Sequence, residues 1–260
     1  MKVNLPYLPN RSVKPRESGI TMMMDKGLSL REAEAFIESS GDFTDLVKFG
    51  FGTALITARV TEKVRLYKSG GLIPYFGGTL FELFIVRNMF DEYRRFVTDC
   101  GLEYLEISDG TIRIDHEEKL KYIKKLSEDF TVISEVGYKV KGVELTSAEW
   151  VRNMQSELDS GSWKVIAEAR ESGTIGIYNA DGSVNSLLIT DITDHISPEK
   201  IIWEAPNKNQ QVYFISLLGA NVNLGNIATN EVVALEALRL GLRGDTFFNA
   251  MPDQFLDRKL

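Results

Sequence analysis

FTVISEVGYK, residues 130–139, reads as a β-strand that runs into charge. In a strand, side chains alternate between faces, so Ile133 and Glu135 share one face and Gly137 and Lys139 follow with the same parity. The question is why an apolar strand should end in a carboxylate and then a lysine. A solvated strand end is the bland answer for one strand, since charge is rarely buried. The rest of the chain repeats the pattern.

Eight short apolar runs read as strands: ITMMM, DLVKFG, GLIPYFG, LEYLEI, FTVISEV, KVIAEA, KIIWEA and ANVNL. Segments with helical spacing lie between them. LSLREAEAFIESSG opens with Ser29 as N-cap and closes at Gly41. TEKVRLYKSG follows the second strand, and TLFELFIVRNMFDEYRRFVTDCG reads as one long amphipathic helix. HEEKLKYIKKLSED, SAEWVRNMQSELDSG with Ser147 as its cap, NKNQQVYFISLLG and TNEVVALEALRLGLRG complete the set. Strict βα alternation implies a parallel sheet with right-handed crossovers. Eight such units in this length predict a single (β/α)8 TIM barrel over residues 19–260, preceded by an extended N-terminal arm, residues 1–18. An open doubly wound sheet is the structural alternative. No GxGxxG follows the first strand and no GxxxxGK[ST] occurs, which argues against dinucleotide and P-loop nucleotide sites.

Composition narrows the function. A net charge of -7 argues against nucleic acid as the main partner but leaves room for a local basic cluster that binds a small anion. The single Cys100 excludes an intrachain disulfide and points to a reducing, cytoplasmic setting. The opening residues lack an apolar signal core, and no run is long enough for a membrane span. With two histidines, His116 and His195, proton transfer would fall to carboxylates, lysine or tyrosine.

The strand ends carry the chemistry. Asp25 and Lys26 close the first strand, Lys48 sits in the second, and Glu106 and Asp109 close the fourth. Glu135 and Lys139 close the fifth, Glu168, Arg170 and Glu171 the sixth, and Glu204, Asn207 and Lys208 the seventh. In a barrel these ends converge on one mouth. Carboxylates crowded there repel one another, and a divalent cation such as Mg²⁺, which prefers hard oxygen ligands, removes the conflict. Phosphate has its own signal. GANVNLGNIATNEVVALEAL reads as the eighth strand, a turn at Gly225 and a helix, so Asn223, Gly225 and Asn226 are candidates for an anion site. ARESGTIG adds Arg170 and a turn at Gly173 on the neighbouring loop.

PRESGITMMMDKG, VKFGFGT, EISDG, SEVGYK, EARESG, WEAPNKNQQ and GANVNLGNI, in that order, resemble the phosphosulfolactate synthase family from about Pro15 to the final helix. The resemblance implies a (β/α)8 barrel and a lyase that adds sulfite to phosphoenolpyruvate with Mg²⁺, giving phosphosulfolactate. In methanogens that is the first step toward coenzyme M. Negative charge would build on the substrate carboxylate as an enediolate, and a proton would then reach C2. Lys139 matches the lysine of the family's EVG-x-K motif and is the expected proton donor, with Lys48 as its rival or as a ligand of the substrate carboxylate or phosphate. Glu106, Glu135 and Glu168 are the expected metal ligands, and Asp25, Asp109 and Glu204 the next candidates. Arg170 is the expected anion clamp, because its fork can grip phosphate or sulfite, or else it holds Glu168 or Glu171 in place. Gly173, Asn207, Asn223 and Gly225 are expected at the substrate phosphate, and Tyr75 at the pocket wall or in the core. Asn221 stands where the resemblance leads one to expect an acid, which puts substrate preference in question. Plant heat-stress-associated relatives share the family, so a non-catalytic member is one alternative. A Schiff-base aldolase using Lys48 or Lys139 is another. A homo-oligomer is expected, with the long apolar helix covering the barrel and meeting a neighbour.

Overall fold

A computed structural model describes residues 4–139, 142, 144–170 and 172–259; Glu171 lies outside them. Among the described residues eight strands alternate with helices: β1 Thr21–Asp25, β2 Leu46–Phe49, β3 Ile73–Phe76, β4 Tyr104–Ile107, β5 Thr131–Val136, β6 Ser162–Ala167, β7 Ile201–Glu204 and β8 Leu224–Ala228. All pair in parallel, in the order β3-β2-β1-β8-β7-β6-β5-β4. β3 and β4 lie side by side and complete a nearly closed (β/α)8 barrel, but no backbone ladder joins them. Side chains bridge that seam instead, and Glu106 Oε1 accepts the Gly78 N–H at 2.6 Å.

The alternation seen in FTVISEV is that of the barrel wall. Ile133 packs inside with Met22, Leu46, Tyr75, Ile166 and Ile202, whereas Val132 and Val136 face the helices. The outer layer is α1 Leu30–Ser40, α2 Val60–Ser69, α3 Gly78–Ile85, α4 Phe90–Asp99, α5 His116–Leu126, α6 Ser147–Asp159, α7 Ser186–His195, α8 Lys208–Leu218 and α9 Val232–Arg239. Ser29 caps α1 in a capping box with Glu32. α6 is capped by Thr146, one residue before the expected Ser147, with Glu149 closing the box. None of the described helices is long and apolar enough to cross a membrane.

Three further expectations change. The long helix is two, because Asn88 adopts φ 55° and ends α3 in a Schellman motif: Met89 N–H donates to Phe84 O and Asn88 N–H to Ile85 O. Leu80, Phe81 and Ile85 of α3 are buried within the chain's own core. α7 is a further helix; its run of Ile and Thr obscures the helical spacing, yet Leu188, Ile189 and Ile192 form a buried face. The eighth strand is LGNIA, not ANVNL. The carbonyls of Ala220 and Val222 accept from the buried Arg239 guanidinium at 2.7 and 2.6 Å, so these residues form an anchored turn. Residues 4–18 contain no helix or strand and lie against the N-terminal ends of the barrel strands, held by Arg11–Glu236 and Arg16–Asp45 ion pairs.

Candidate active site

Three neighbouring strands place the same pattern at the barrel mouth. Ile133, Ile166 and Ile202 form part of the inner floor, and two residues beyond each stands a carboxylate: Glu135, Glu168 and Glu204. An i to i+2 step keeps a side chain on the same face and raises it toward the mouth. Each of the three offers an oxygen within 4.8 Å of the others, and all three residues are buried. They could hold a metal ion. Glu168 Oε2 is buried without a hydrogen bond from any described residue, the sort of orphan that a cation would satisfy.

Two lysines face these acids. Lys48 reaches in from β2, with Nζ 2.9 Å from Glu106 Oε1 and 3.4 Å from both Glu135 Oε2 and Glu204 Oε1. Lys139 Nζ is 2.5 Å from Glu135 Oε1, 3.6 Å from Glu168 Oε2 and 3.9 Å from Glu82 Oε1. Burial alone would lower both ammonium pKa values, but the surrounding carboxylates reverse this and hold them above the ordinary lysine range. Burial also lifts the acids. The Lys139 and Lys48 charges outweigh it at Glu135, which stays below the usual carboxylate range. Glu168 is pushed well up by burial and then by Glu135 and Glu204. Glu204 is raised to about 7, by burial first, with Lys48 opposing. Glu106, Glu135, Glu168 and Glu204 thus crowd around two buried ammonium groups.

The site opens into a cavity of about 450 Å³ lined by Lys48, Glu135, Lys139, Glu168, Arg170 and Asn226, with Thr79, Thr111 and Ser172 adding hydroxyls. Arg170 takes φ 49° and its N–H donates to Glu168 Oε1 at 2.6 Å. Its guanidinium makes no ion pair with a described residue. Asn226 interrupts β8 at φ 58°, beside the register shift between β8 and β1, and its Oδ1 is buried without a described partner. Strained backbone of this kind clusters at functional sites, and Asn226 lines the cavity. Gly137 must be glycine, since at φ 120° a Cβ would lie 2.5 Å from the Trp150 ring and 2.9 Å from Glu168 Cβ.

The expected residues sort as follows. Lys48, Glu135, Lys139, Glu168 and Arg170 meet in the cavity. Glu106 does not join the acid triad. Its strand register sets it opposite Ile133, about 7 Å below Glu135, where it pairs with Lys48 and closes the seam. Glu204 takes its place. Asp25 is bound by Lys63, Tyr67 and two backbone N–H groups, and Asp109 Oδ1 pairs with Lys119, so both are engaged apart from the triad. Asn223 lies at the opposite end of the barrel; its amide accepts from Ile20 N–H and donates to Glu199 O and Ile201 O. Gly225 is a packing residue, because a Cβ there would meet Met22 Cε at 2.2 Å. Gly173 and Asn207 stand beside the cavity rather than in its wall: Asn207 donates to Ser172 O, and Gly173 O accepts from Gln210. Tyr75 is buried in the inner core. Asn221 accepts from Arg11 and Ser12 at the base of the barrel, so an acid at that position would not touch substrate.

The sequence model of the (2R)-phospho-3-sulfolactate synthase (ComA) family matches residues 9–245. The chain belongs to this family. It is 44% identical over 246 residues to the phosphosulfolactate synthase of Bacillus subtilis strain 168, covering 93% of this chain and 97% of that protein. It is 46% identical over 244 residues to the phosphosulfolactate synthase of Methanothermobacter thermautotrophicus, covering 92% and 95%. The fold, without the chemistry, is shared with the YdjI aldolase of Escherichia coli K12, at TM-score 0.55 and 13% identity over 94% of this chain and 85% of that one. A 3-hexulose-6-phosphate synthase from Salmonella typhimurium aligns at TM-score 0.53 and 16% identity over 93% of this chain and 100% of that one. The family is one of enzymes, and in barrels of this kind catalysis sits at the C-terminal ends of the strands.

Proposed function

We propose that this chain is a phosphosulfolactate synthase, a lyase that joins sulfite to phosphoenolpyruvate to give (2R)-phospho-3-sulfolactate. The observation that supports it most is the pairing of the Glu135, Glu168 and Glu204 oxygens with two protonated lysines in one cavity, in a chain of this family. The sulfite sulfur forms a bond to C3, the C2–C3 π pair moves onto the carboxylate as an enediolate, and C2 then takes a proton. Lys139 holds that proton at Nζ, and Lys48 faces the same pocket as a fixed positive charge for the substrate carboxylate. Arg170 at the rim receives the phosphate or sulfite oxygens, for which its planar fork is suited. Glu135, Glu168 and Glu204 would hold Mg²⁺, whose charge supports the developing enediolate oxygens when it is bound.

Lysines held as ammonium by several carboxylates are poor Schiff-base nucleophiles, which counts against the aldolase reading. The buried triad of Glu135, Glu168 and Glu204 counts against a non-catalytic member. The buried, unpaired Cys100 accords with a reducing cytoplasm. Incubating purified protein with phosphoenolpyruvate, sulfite and Mg²⁺ and following product by mass spectrometry tests the proposal. Phosphosulfolactate that disappears with EDTA is the expected result; unreacted phosphoenolpyruvate under all metal conditions would refute it.

A further inference from the structure

Glu82 is a buried acid in the otherwise apolar helix α3, GTLFELFI, at 2% exposure. Its Oε1 accepts from Ser108 Oγ at 2.5 Å and its Oε2 from Thr111 Oγ1. Those two hydroxyls bracket Asp109 and Gly110 in the loop after β4. Gly110 in turn supports Lys139. Its carbonyl accepts the Lys139 N–H at 2.9 Å, and a Cβ there would sit 3.0 Å from Lys139 Cγ. The helix start is pressed against the same loop, for a Cβ on Gly78 would lie 2.4 Å from Ser108 Oγ. Glu82 therefore fixes the loop on which the lysine's backbone and stem rest, and its own Oε1 lies 3.9 Å from Lys139 Nζ.

The simpler explanation is that Glu82 only closes the unpaired seam between β3 and β4. A seam clamp alone would need only acceptors for the two hydroxyls, whereas Glu82 also lies against the Lys139 ammonium. A carboxylate is warranted by the ammonium across from it. We propose that Glu82 is a positioning residue for Lys139, holding the ammonium on one face of the substrate's C2 and so securing the (2R) configuration of the product. This rests on the reading of Lys139 as the proton donor.

Glu82→Gln keeps the shape and an acceptor but removes the charge. The expected result is a kcat lower by roughly 10- to 100-fold, the scale for a displaced catalytic group, with the KM for phosphoenolpyruvate within about twofold. Chiral analysis should then detect the (2S) product, formed by protonation from solvent on the other face. Unchanged kcat and unchanged enantiomeric purity, with or without a lower Tm, would reduce Glu82 to a seam clamp and overturn the proposal. If Glu82→Gln does not fold, Thr111→Val removes one hydroxyl of the support and should shift kcat and enantiomeric purity the same way; no shift there also overturns it. Lys139→Ala, assayed alongside, separates the two ideas. Full activity in Lys139→Ala refutes the donor itself, whereas an inactive Lys139→Ala with an unaffected Glu82→Gln refutes only the positioning role.

Discussion

Glu204→Gln should stabilise the metal-free protein while removing its metal site. Glu204 is buried, and its carboxyl is raised to about 7 in the folded chain. A carboxyl with a higher pKa folded than unfolded binds its proton more tightly when folded. Its stabilising effect is present in full below the unfolded value of about 4.3 and is lost as pH rises through about 7. Across that gap, carrying the charge costs roughly 3–4 kcal/mol at pH 8 and about 1 kcal/mol at pH 5. Glutamine has nearly the same volume, can still accept the Ala169 N–H that Glu204 accepts at 3.0 Å, and never ionises. At about 2 °C per kcal/mol for a chain of this size, the variant should melt roughly 6–8 °C above wild type at pH 8 and within about 2 °C of it at pH 5. Thermal melts in EDTA at both pH values measure this directly. Added Mg²⁺ should raise the Tm of wild type at pH 8 but not that of the variant. A variant destabilised at pH 8, or shifted equally at both pH values, would refute the account of Glu204 as a buried carboxyl strained by its neighbours.

Lys139→Ala should fold and lose about 10²- to 10⁴-fold in kcat, the usual worth of a general acid, measured by product formation at saturating substrates. Asn223→Ala removes hydrogen bonds to Ile20, Glu199 and Ile201 at the base of the barrel, so denaturant melts should show a loss of about 1–3 kcal/mol with kcat/KM unchanged. Reduced turnover in a folded Asn223→Ala would return that residue to the site. Asn226→Gly relieves the positive φ and removes the amide from the cavity; its Tm should not fall, while the KM for phosphoenolpyruvate should rise about fivefold to tenfold, the worth of one lost hydrogen bond.

The barrel was legible because its evidence is periodic. Alternation in FTVISEV, helical spacing between strands and the Ser29–Glu32 capping box all act locally and agree with one another. The membership of the acid triad was also within reach. Ile-x-Glu occurs at 133–135, 166–168 and 202–204, on adjacent strands, while Glu106 follows Tyr104 and stands one alternation lower. Asn223 and Asn226 were harder, since both lie in one polar, glycine-bearing run. What assigns them to opposite ends of the barrel is Arg239, nineteen residues from Ala220 in sequence, taking the turn's carbonyls. Glu82 was hidden for a similar reason. A lone acid in a helix reads as a solvated face, and its partners Ser108, Thr111 and Lys139 meet it only when the barrel closes.

The Glu135, Glu168 and Glu204 triad is proposed to support a metal-dependent union of sulfite with phosphoenolpyruvate, and the mechanism rests on that role. It is tested most directly by following phosphosulfolactate from wild type and Glu168→Gln side by side, with Mg²⁺ and with EDTA. Wild type should give product that EDTA abolishes and Mg²⁺ restores, and a folded Glu168→Gln should form it at least about 100-fold more slowly in Mg²⁺. Product that forms equally well in EDTA, or from Glu168→Gln at the wild-type rate, would contradict it.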